Sequence, residues 1–432
     1  MPEHPHDWSM RCRSRDSKSS RALRRIGLLA LGVLLTACSN RNRQQPTSLL
    51  RVARTLPSSK TVTTADSERD RTLLRQFQTS VREVVPGLQL QPSLYTESSI
   101  EAELRRQTNS GLGPDLVISD ARTIHALFEA RLLDPVPLTK DQRQAVAPTL
   151  LKRLTNDQGQ ITGLPVSQSL QLACYDKSKL KTPPASLSEL AKASSGESVF
   201  GIAQNFEDLY WSMGSFEAGP ALVTSLRGHT PTAPETHQLV RWLGWLQDTS
   251  FQQNVIFLRD QPTLRRQLIQ GRLNWISCWS TQLPQLREAM KEKLGVSVLP
   301  AGPVGQATPV SKLQVWGLGR NSSQRQRASS EELMQFIVQP WAQKTWSLRY
   351  RTSYPVNPVA AAIVNSQIPG TDDLYLMKSR EGILIGDEIM ASLDANPELN
   401  EGLQDIINDV IFGTESPAQA AGKIHQLLKQ AS

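Results

Sequence analysis

Residues 98–136 read SSIEAELRRQTNSGLGPDLVISDARTIHALFEARLLDPV, and their pattern decides the fold class. Ser98 and Glu101 form a capping box, which predicts a helix that begins there and ends before the Gly- and Pro-rich segment that follows. Residues 115–120, DLVISD, are an apolar run of strand length, and a second helical pattern comes directly after them. Helix, short buried strand and helix in succession are typical of an α/β sheet.

The same alternation continues on both sides of this stretch. Apolar residues recur at helical spacing from Asp66 to Val85, and the last ninety residues are mostly helical in pattern. Further short strands are predicted at residues 88–90, 200–203, 274–279, 296–299 and 315–318. The sequence therefore predicts an α/β body with a largely parallel sheet.

Asp120 is the first candidate for a ligand site. Ligands of α/β sheets gather at the carboxyl ends of strands, and Asp120 stands at that end of its strand, whereas Asp115 stands at the other. The alternative is that Asp120 caps the helix that begins near Thr123. Both interpretations stay open at this point.

The N-terminal 37 residues have the pattern of a secretion signal. Residues 26–37 are apolar and follow a basic segment that ends in Arg24-Arg25, but twelve helical residues span only about 18 Å, too little for a hydrocarbon core of about 30 Å. Residues 35–38, LTAC, look like a bacterial lipobox, in which Cys38 carries acyl chains such as palmitate. We expect cleavage before Cys38 and a lipid-anchored mature chain on the periplasmic face of a bacterial membrane.

Composition excludes some partners. The whole chain has a formal charge of +8, but the segment before Cys38 holds seven of the 48 Lys and Arg and three of the 40 Asp and Glu, so the mature chain carries +4. The remaining charges are mixed in sign and no basic stripe is interleaved with aromatic residues, so nucleic-acid binding is not expected. Residues 38–60 are polar and lack a period, which predicts a flexible tether.

Cys174 and Cys278 are the remaining cysteines of the mature chain, and both lie in apolar, strand-like stretches. Two buried free thiols are the favoured interpretation, with a disulfide as the minority one. The cysteines and histidines lack the spacing of a metal site, and we expect no metal and no cofactor.

No motif of an enzyme is visible in the chain. The sequence contains no GxSxG elbow, no HExxH and no phosphate-binding GxxxxGK[ST]. A nucleophilic dyad of Cys174 with a histidine is conceivable, but nothing in the sequence places a histidine beside it. We therefore expect a binding protein and not an enzyme.

Several short motifs then occur in one order along the chain. They are PDLV (114–117) before LLDPV (132–136), GLPV (163–166) before CYDK (174–177), GRLNWI (271–276) before Trp279, LPAGP (299–303), and IINDVIFG (406–413) before SPAQAA (416–421). Together with the lipobox, this order resembles the family 1 extracellular solute-binding proteins, the sugar-binding lipoproteins of ABC importers that include maltose-binding protein.

The resemblance implies a two-lobed periplasmic-binding-protein fold of type II, with several hinge crossings and one solute in the cleft between the lobes. The first crossing is expected near Leu164-Pro165. On this basis we predict an N-terminal lobe from residues 61–165 and 314–341, and a C-terminal lobe from residues 166–313 and 342–432.

The resemblance also implies ligand-binding residues, because such proteins stack sugar rings on aromatic side chains and bond hydroxyls to polar ones. The matching positions are Asp120, Tyr175, Trp211, Trp279 and, more weakly, Trp316 and Tyr354. For each of the large aromatic residues, packing in the core is the alternative. One departure is apparent: the family opens with an apolar strand that ends in ligand contacts, whereas residues 60–66, KTVTTAD, are polar and offer only Val62–Thr64 as a strand.

We therefore expect a lipoprotein that captures a small polar solute, most simply a sugar, by hinge closure and delivers it to an ABC permease. The polar first strand keeps a second hypothesis open, in which a drifted site serves sensing or protein–protein assembly and not import. The sequence does not identify the solute or the permease.

Overall fold

The computed structural model describes residues 48–56, 62–82, 85–350, 353–367 and 380–430. The predicted signal segment and Cys38 lie outside these residues. Within the described ranges, no helix is both long enough and apolar enough to cross a membrane.

The described residues form eleven strands, which we number in chain order. They are β1 (Ser48–Leu56), β2 (Leu88–Thr96), β3 (Leu116–Ser119), β4 (Leu133–Asp134), β5 (Leu164–Ser169), β6 (Gln171–Asp176), β7 (Phe200–Ala203), β8 (Val255–Leu258), β9 (Trp275–Trp279), β10 (Leu294–Ser297) and β11 (Lys312–Gly319).

Eighteen α-helices are described in the same ranges. They are α1 (Thr64–Val81), α2 (Ile100–Asn109), α3 (Ala121–Glu129), α4 (Lys140–Ala145), α5 (Pro148–Lys152), α6 (Leu187–Ser194), α7 (Phe206–Leu209), α8 (Trp211–Gly214), α9 (Gly219–Leu226), α10 (Ala233–Ser250), α11 (Gln261–Ile269), α12 (Leu283–Met290), α13 (Gln324–Ile337), α14 (Pro340–Tyr350), α15 (Pro358–Gln367), α16 (Arg380–Ala395), α17 (Pro397–Ile411) and α18 (Pro417–Gln430).

The strands form two sheets. The first has the order β2-β1-β3-β11-β4, with β5 paired to β11, and the second has the order β10-β6-β9-β7-β8. Strands β1, β2 and β3 are parallel, as are β7, β8 and β9, but the pairings of β11 with β3, β4 and β5 and of β6 with β9 and β10 are antiparallel. The expected α/β class is right, but the expectation of a largely parallel sheet is wrong. The reason is that the chain leaves the first sheet after β5 and returns to it as β11 in the opposite direction.

Strand β1 corrects the predicted tether. Residues 48–56 pair with β2 and β3 inside the first sheet, whereas Val62 and Thr63 belong to no strand and Thr64 begins α1. The predictions of a flexible tether through residue 60 and of a first strand at Val62–Thr64 are therefore wrong. The apolar side of β1 is buried, but Arg51 and Arg54 interrupt its apolar pattern in the sequence.

Arg51 illustrates how a charged residue is accommodated in this strand. Its backbone N–H donates to Asp115 Oδ2 at 2.7 Å, and its Nη1 donates to the carbonyl of Leu112 at 2.8 Å. The charge therefore lies beside a buried carboxylate, while the apolar neighbours of Arg51 in the strand are buried in the core.

Each sheet has its own core, and we call the two bodies the first and second lobe. One buried cluster surrounds the first sheet, and two others cover the faces of the second sheet. The chain passes from the first lobe to the second at Leu170, between β5 and β6, and not near Leu164-Pro165. Trp346 and Val356 pack with the first core, which departs from the predicted boundary at residue 341. The lobe division otherwise stays a prediction.

Cys174 and Cys278 form a disulfide between β6 and β9, with their Cα atoms 5.8 Å apart. The favoured interpretation of two free thiols is therefore wrong. The pairing is explained by register, because Cys174 opposes Ile276 and Leu172 opposes Cys278, which makes the two cysteines diagonal neighbours on one face of the sheet. The bond lies in the buried cluster on that face.

A buried ion pair joins the lobes. Arg153 follows α5 of the first lobe and is only 2% exposed. Its Nη2 donates to Asp394 Oδ2 at 2.7 Å, and its Nη1 donates to the carbonyl of Ser311 at 2.7 Å and lies 3.4 Å from Asp387 Oδ1. Both carboxylates belong to α16, which packs into the core of the second lobe. Burial raises the pKa of Asp387 even though Arg153 lowers it.

We predict that β1 is a stability element. Leu50 is fully buried, whereas the adjacent Leu49 is 45% exposed. Leu50→Ala should therefore lower the free energy of unfolding by about 2–5 kcal/mol, while Leu49→Ala should change it by no more than about 0.5 kcal/mol. Urea unfolding followed by circular dichroism measures both, and equal small losses would show that residues 48–56 are a tether after all.

The disulfide predicts a specific chemical result. Alkylation without reduction followed by proteolysis should yield the peptides of Cys174 and Cys278 linked to each other, and the double variant Cys174→Ala/Cys278→Ala should lose about 2–5 kcal/mol of stability. Recovery of both peptides in alkylated, unlinked form would contradict the pairing.

Loss of Arg153 should give a pH-dependent defect. Arg153→Met leaves two buried carboxylates without their cation and should cost about 3–5 kcal/mol near neutral pH. In the variant the pKa of Asp387 rises further above its unfolded value, so the folded state binds the proton more tightly than the unfolded state does. The defect should thus be smaller at about pH 5 than at about pH 8.

Arg122→Met is the matched control for this variant, because Arg122 also contacts Asp394 but is 36% exposed and lies 3.8 Å away. It should cost less than about 1 kcal/mol, with little pH dependence. A defect of Arg153→Met that is equal at both pH values would contradict the argument from the buried pair. Unfolding in urea at the two pH values provides the comparison.

Candidate functional site

The ends of several strands meet where the chain crosses between the lobes. Ser169, the last residue of β5, and Ser280, just after β9, join their hydroxyls at 3.1 Å, and the Ser280 hydroxyl also accepts from the backbone N–H of Leu170 at 3.2 Å. Lys312 opens β11 opposite Ser169. We call the region around Ser169, Ser280 and Lys312 the seam. In it, the end of β9 and the beginning of β11 come together.

Trp279, the last residue of β9, is held firmly at the seam, where it is 2% exposed and packs at the border of the second lobe's core. Its indole Nε1 donates to Asp208 Oδ1, and the side chain of Asn205, which caps α7, donates to the other oxygen of the same carboxylate. The buried side chain of Gln171 donates to the backbone carbonyl of Asp208 at 2.8 Å. Asp208 therefore fixes the plane of the indole ring.

Lys312 covers one face of that ring. Its Nζ lies 4.7 Å from the centre of the Trp279 ring and 3.1 Å from Glu207 Oε2. An ammonium over the face of tryptophan is attracted by the ring electrons. The side chains of Lys312 and Glu207 are 31% and 22% exposed, so the ion pair is half-buried and not enclosed.

The charges at the seam influence one another. Burial raises the pKa of Glu207. The positive charges of Lys312 and Arg122 lower this pKa, but they offset only part of the increase. Burial alone would lower the pKa of Lys312, but Glu207 and the other nearby carboxylates outweigh it and raise the pKa above its usual range. Lys312 is therefore a cation at neutral pH.

The first lobe contributes the ends of its parallel strands. The hydroxyls of Thr55 and Ser119, at the ends of β1 and β3, lie 2.7 Å apart. Arg122, in the first turn of α3, reaches the second lobe, where its Nη2 is 3.4 Å from Asn400 Oδ1 and 3.8 Å from Asp394 Oδ1. Its buried Nε has no hydrogen-bond partner among the described residues. Arg122 and Lys312 thus bring two cations close to the carboxylate of Glu207, a combination of charged groups that suits recognition of a small polar molecule.

Asp120 caps α3. Its Oδ1 accepts from the backbone N–H of Thr123 at 2.9 Å and its Oδ2 from the Thr123 hydroxyl at 2.8 Å. The capping alternative therefore describes its contacts, while its position two residues before Arg122 keeps it near the seam. Its role toward a ligand stays a prediction.

The predicted aromatic residues are not brought together. Trp211 is fully buried against Trp245 and Trp275, and Trp316 packs against Phe77 in the first core. Both make the contacts of core residues.

Tyr175 also lies apart from Trp279, and Tyr354 lies beside β5. In β6, Gln171 opposes Trp279, and Tyr175 stands at the other end of the strand. Tyr175 is four residues from Gln171, a distance of about 13 Å along the strand. Tyr354 pairs with Gln168 of β5 through backbone hydrogen bonds. Of the predicted aromatic positions, Trp279 is the one that lies beside the charged residues of the seam.

Sequence reasoning missed Glu207, Asp208, Arg122 and Lys312. The rule that selected Asp120 also applies to Glu207 and Asp208, because they follow the carboxyl end of β7. No local pattern marks Lys312, whose role arises from the return of β11 to the first sheet. In the described part of the chain, no group of three or more His, Cys, Asp or Glu side chains is arranged to hold a metal ion.

Solved structures show that the fold is shared with known binding proteins. A domain of MalE from Bdellovibrio bacteriovorus, bound to maltotriose, has 14% identity and a TM-score of 0.61, covering 89% of this chain and 99% of that one. The GacH receptor of Streptomyces glaucescens, solved with and without acarbose, has 14% identity and a TM-score of 0.64, covering 89% and 98%. The expected two-lobed periplasmic-binding-protein fold is thereby confirmed.

A third structure, a solute-binding protein of an ABC transporter from Thermotoga lettingae bound with α-D-tagatose, has 14% identity and a TM-score of 0.61, with 88% of this chain and 100% of that one covered. No curated protein matches the sequence.

The family comparison covers the greater part of the sequence. Residues 83–372, more than half of the chain, match the family described as bacterial extracellular solute-binding proteins. The match includes most of both sheets and the seam between them. This chain therefore belongs to the bacterial extracellular solute-binding protein family.

Proposed function

We propose that this solute-binding protein captures a sugar at the seam, on the ring of Trp279, and delivers it to an ABC permease. The single observation that carries the proposal is the placement of Trp279: a tryptophan oriented by a buried carboxylate, at the junction of two lobes, with polar side chains of both lobes around it. Sugars bind to such sites by stacking their apolar C–H face on an indole and bonding their hydroxyls to polar groups.

The polar groups have the chemistry that hydroxyls need. Glu207 offers carboxylate oxygens, and Arg122 close by offers N–H donors. Charged partners make hydrogen bonds that are roughly twice as strong as neutral ones. A polyol with adjacent hydroxyls can therefore satisfy several of them at once.

Closure of the two lobes would be the transport signal. A solute that contacts both lobes favours the closed arrangement by its differential affinity, and the permease would recognise that arrangement. The structures that share this fold include sugar complexes and a component of an ABC transporter, which supports a sugar as the solute and a permease as the partner. Anchoring through Cys38 on the periplasmic face of the membrane completes the proposal, which includes no catalytic step.

Two matched tryptophan variants test the site. Trp279→Phe removes the bond to Asp208 and narrows the stacking surface, so it should weaken sugar binding at least about tenfold, which corresponds to about 1.4 kcal/mol. Trp275→Phe is the control: Trp275 lies on the same strand, is fully buried, and its Nε1 has no hydrogen-bond partner among the described residues.

Titration calorimetry with a sugar found by thermal-shift screening of the full-length chain measures the affinity, and melting curves confirm that both variants fold. Equal affinities for Trp279→Phe and Trp275→Phe would refute the placement of the site.

A further inference from the structure

We propose that the solute is an amine-bearing sugar, and that Lys312 in this structure occupies the position that the ammonium group of the solute takes. This inference rests on the proposed function and names the class of solute for the same site. It makes Lys312 an internal competitor of the solute and Glu207 the residue that selects its charge.

One ammonium group, that of Lys312, meets both the face of Trp279 at 4.7 Å and the carboxylate of Glu207 at 3.1 Å. An amino sugar carries the same two chemical features in one small molecule, since its ring stacks on the indole and its ammonium binds a carboxylate beside it. The position is therefore one that already accommodates an alkylammonium ion.

Negative charges outnumber positive ones around Glu207 and Lys312. The side chains that interact electrostatically around Glu207 and Lys312 comprise four carboxylates, Glu97, Glu207, Asp208 and Asp394, and two cations, Lys312 and Arg122. The neighbouring Arg153 and Asp387 add one positive and one negative charge, so the excess of negative charge stays the same. An anionic sugar would meet a surplus of negative charge here.

The pairing of Glu207 depends on which group replaces the ammonium of Lys312. A neutral sugar that takes the face of Trp279 would displace the ammonium and leave the half-buried carboxylate of Glu207 without its cation. Although the pair is half-buried, a carboxylate that loses its cation still pays a moderate cost. An amine-bearing sugar exchanges one ammonium for another, so that Glu207 stays paired throughout.

Lys312 is able to leave. Its side chain is 31% exposed, and its ammonium group is carried on a flexible four-carbon stem. The ion pair with Glu207 is partly exposed to solvent. Displacement needs rotation of this side chain alone, since the backbone of Lys312 stays paired with Ser169 in the first sheet. The buried Arg153 pair, by contrast, is enclosed between the lobes and is not a candidate for exchange.

The test is titration calorimetry of the full-length chain, purified in mild detergent, with three 2-amino hexoses (glucosamine, galactosamine and mannosamine), with their neutral parents, and with glucuronate, at a slightly acid pH that keeps the amines protonated. At least one amino hexose should bind roughly tenfold more tightly than its neutral parent, as expected for one charge-assisted bond, and glucuronate should bind most weakly.

Three variants separate the roles of the residues. Lys312→Met removes the competitor and should raise the affinity for the amino hexose roughly fivefold or more, a gain of about 1 kcal/mol of binding free energy at least. Glu207→Gln should abolish the preference for the amine while the neutral hexose still binds. Lys177→Met, in the loop after β6, is the lysine control and should change neither affinity. Melting curves establish that each variant is folded.

The outcomes are distinct. Tighter binding of neutral hexoses or of glucuronate than of amino hexoses would overturn this inference and leave the proposed function standing. Weaker binding of the amino hexose to Lys312→Met would also overturn it, because Lys312 would then be a contact of the solute and not its competitor. Failure of every sugar to bind to the wild type and to Lys312→Met alike would overturn the proposed function together with the inference.

Discussion

A single residue, Leu170, connects Ser169, the last residue of β5 in the first lobe, with Gln171, the first residue of β6 in the second lobe. This tight crossing determines how the two sheets meet. Because β5 and β6 are almost continuous, Ser169 and Gln171 must lie at adjoining sheet ends. The pairings of β5 with β11 and of β6 with β9 then bring Lys312 and Trp279 to the same place. Neither residue is close to the other in sequence. Their contact is a consequence of the crossing.

Two kinds of ion pair follow from this geometry, and their burial distinguishes their roles. Arg153 and its carboxylates are enclosed, so the loss of one partner is expensive and the group acts as a permanent connection between α5 and α16. Lys312 and Glu207 are half-buried, so water can replace either partner at a moderate cost. Permanent pairs suit the framework of a binding protein, and exchangeable pairs suit its ligand site.

The fold class and most elements could be predicted from the sequence because they depend on local patterns. The strand at 115–120 and the helices around it show their apolar spacing directly. Strand β1 could not be recognised, since Arg51 and Arg54 interrupt its apolar pattern and the partners of Arg51, Leu112 and Asp115, lie 61 and 64 residues away. The disulfide was underestimated for a similar reason, because the register of β6 and β9 that pairs Cys174 with Cys278 is not visible in either strand alone. Among the site residues, Trp279 was implied by the family resemblance through the GRLNWI motif before it, whereas Lys312 depends on a contact between distant segments.

The most direct test of the central claim, that the solute binds on the ring of Trp279, is fluorine NMR of the full-length chain labelled with 5-fluorotryptophan. The chain has nine tryptophans, and a single-residue replacement assigns the resonance of Trp279. Saturation with the tightest-binding sugar should shift this resonance most, and the resonance of Trp316, inside the first core, should stay in place. A shift confined to other tryptophans, with that of Trp279 unchanged, would contradict the account.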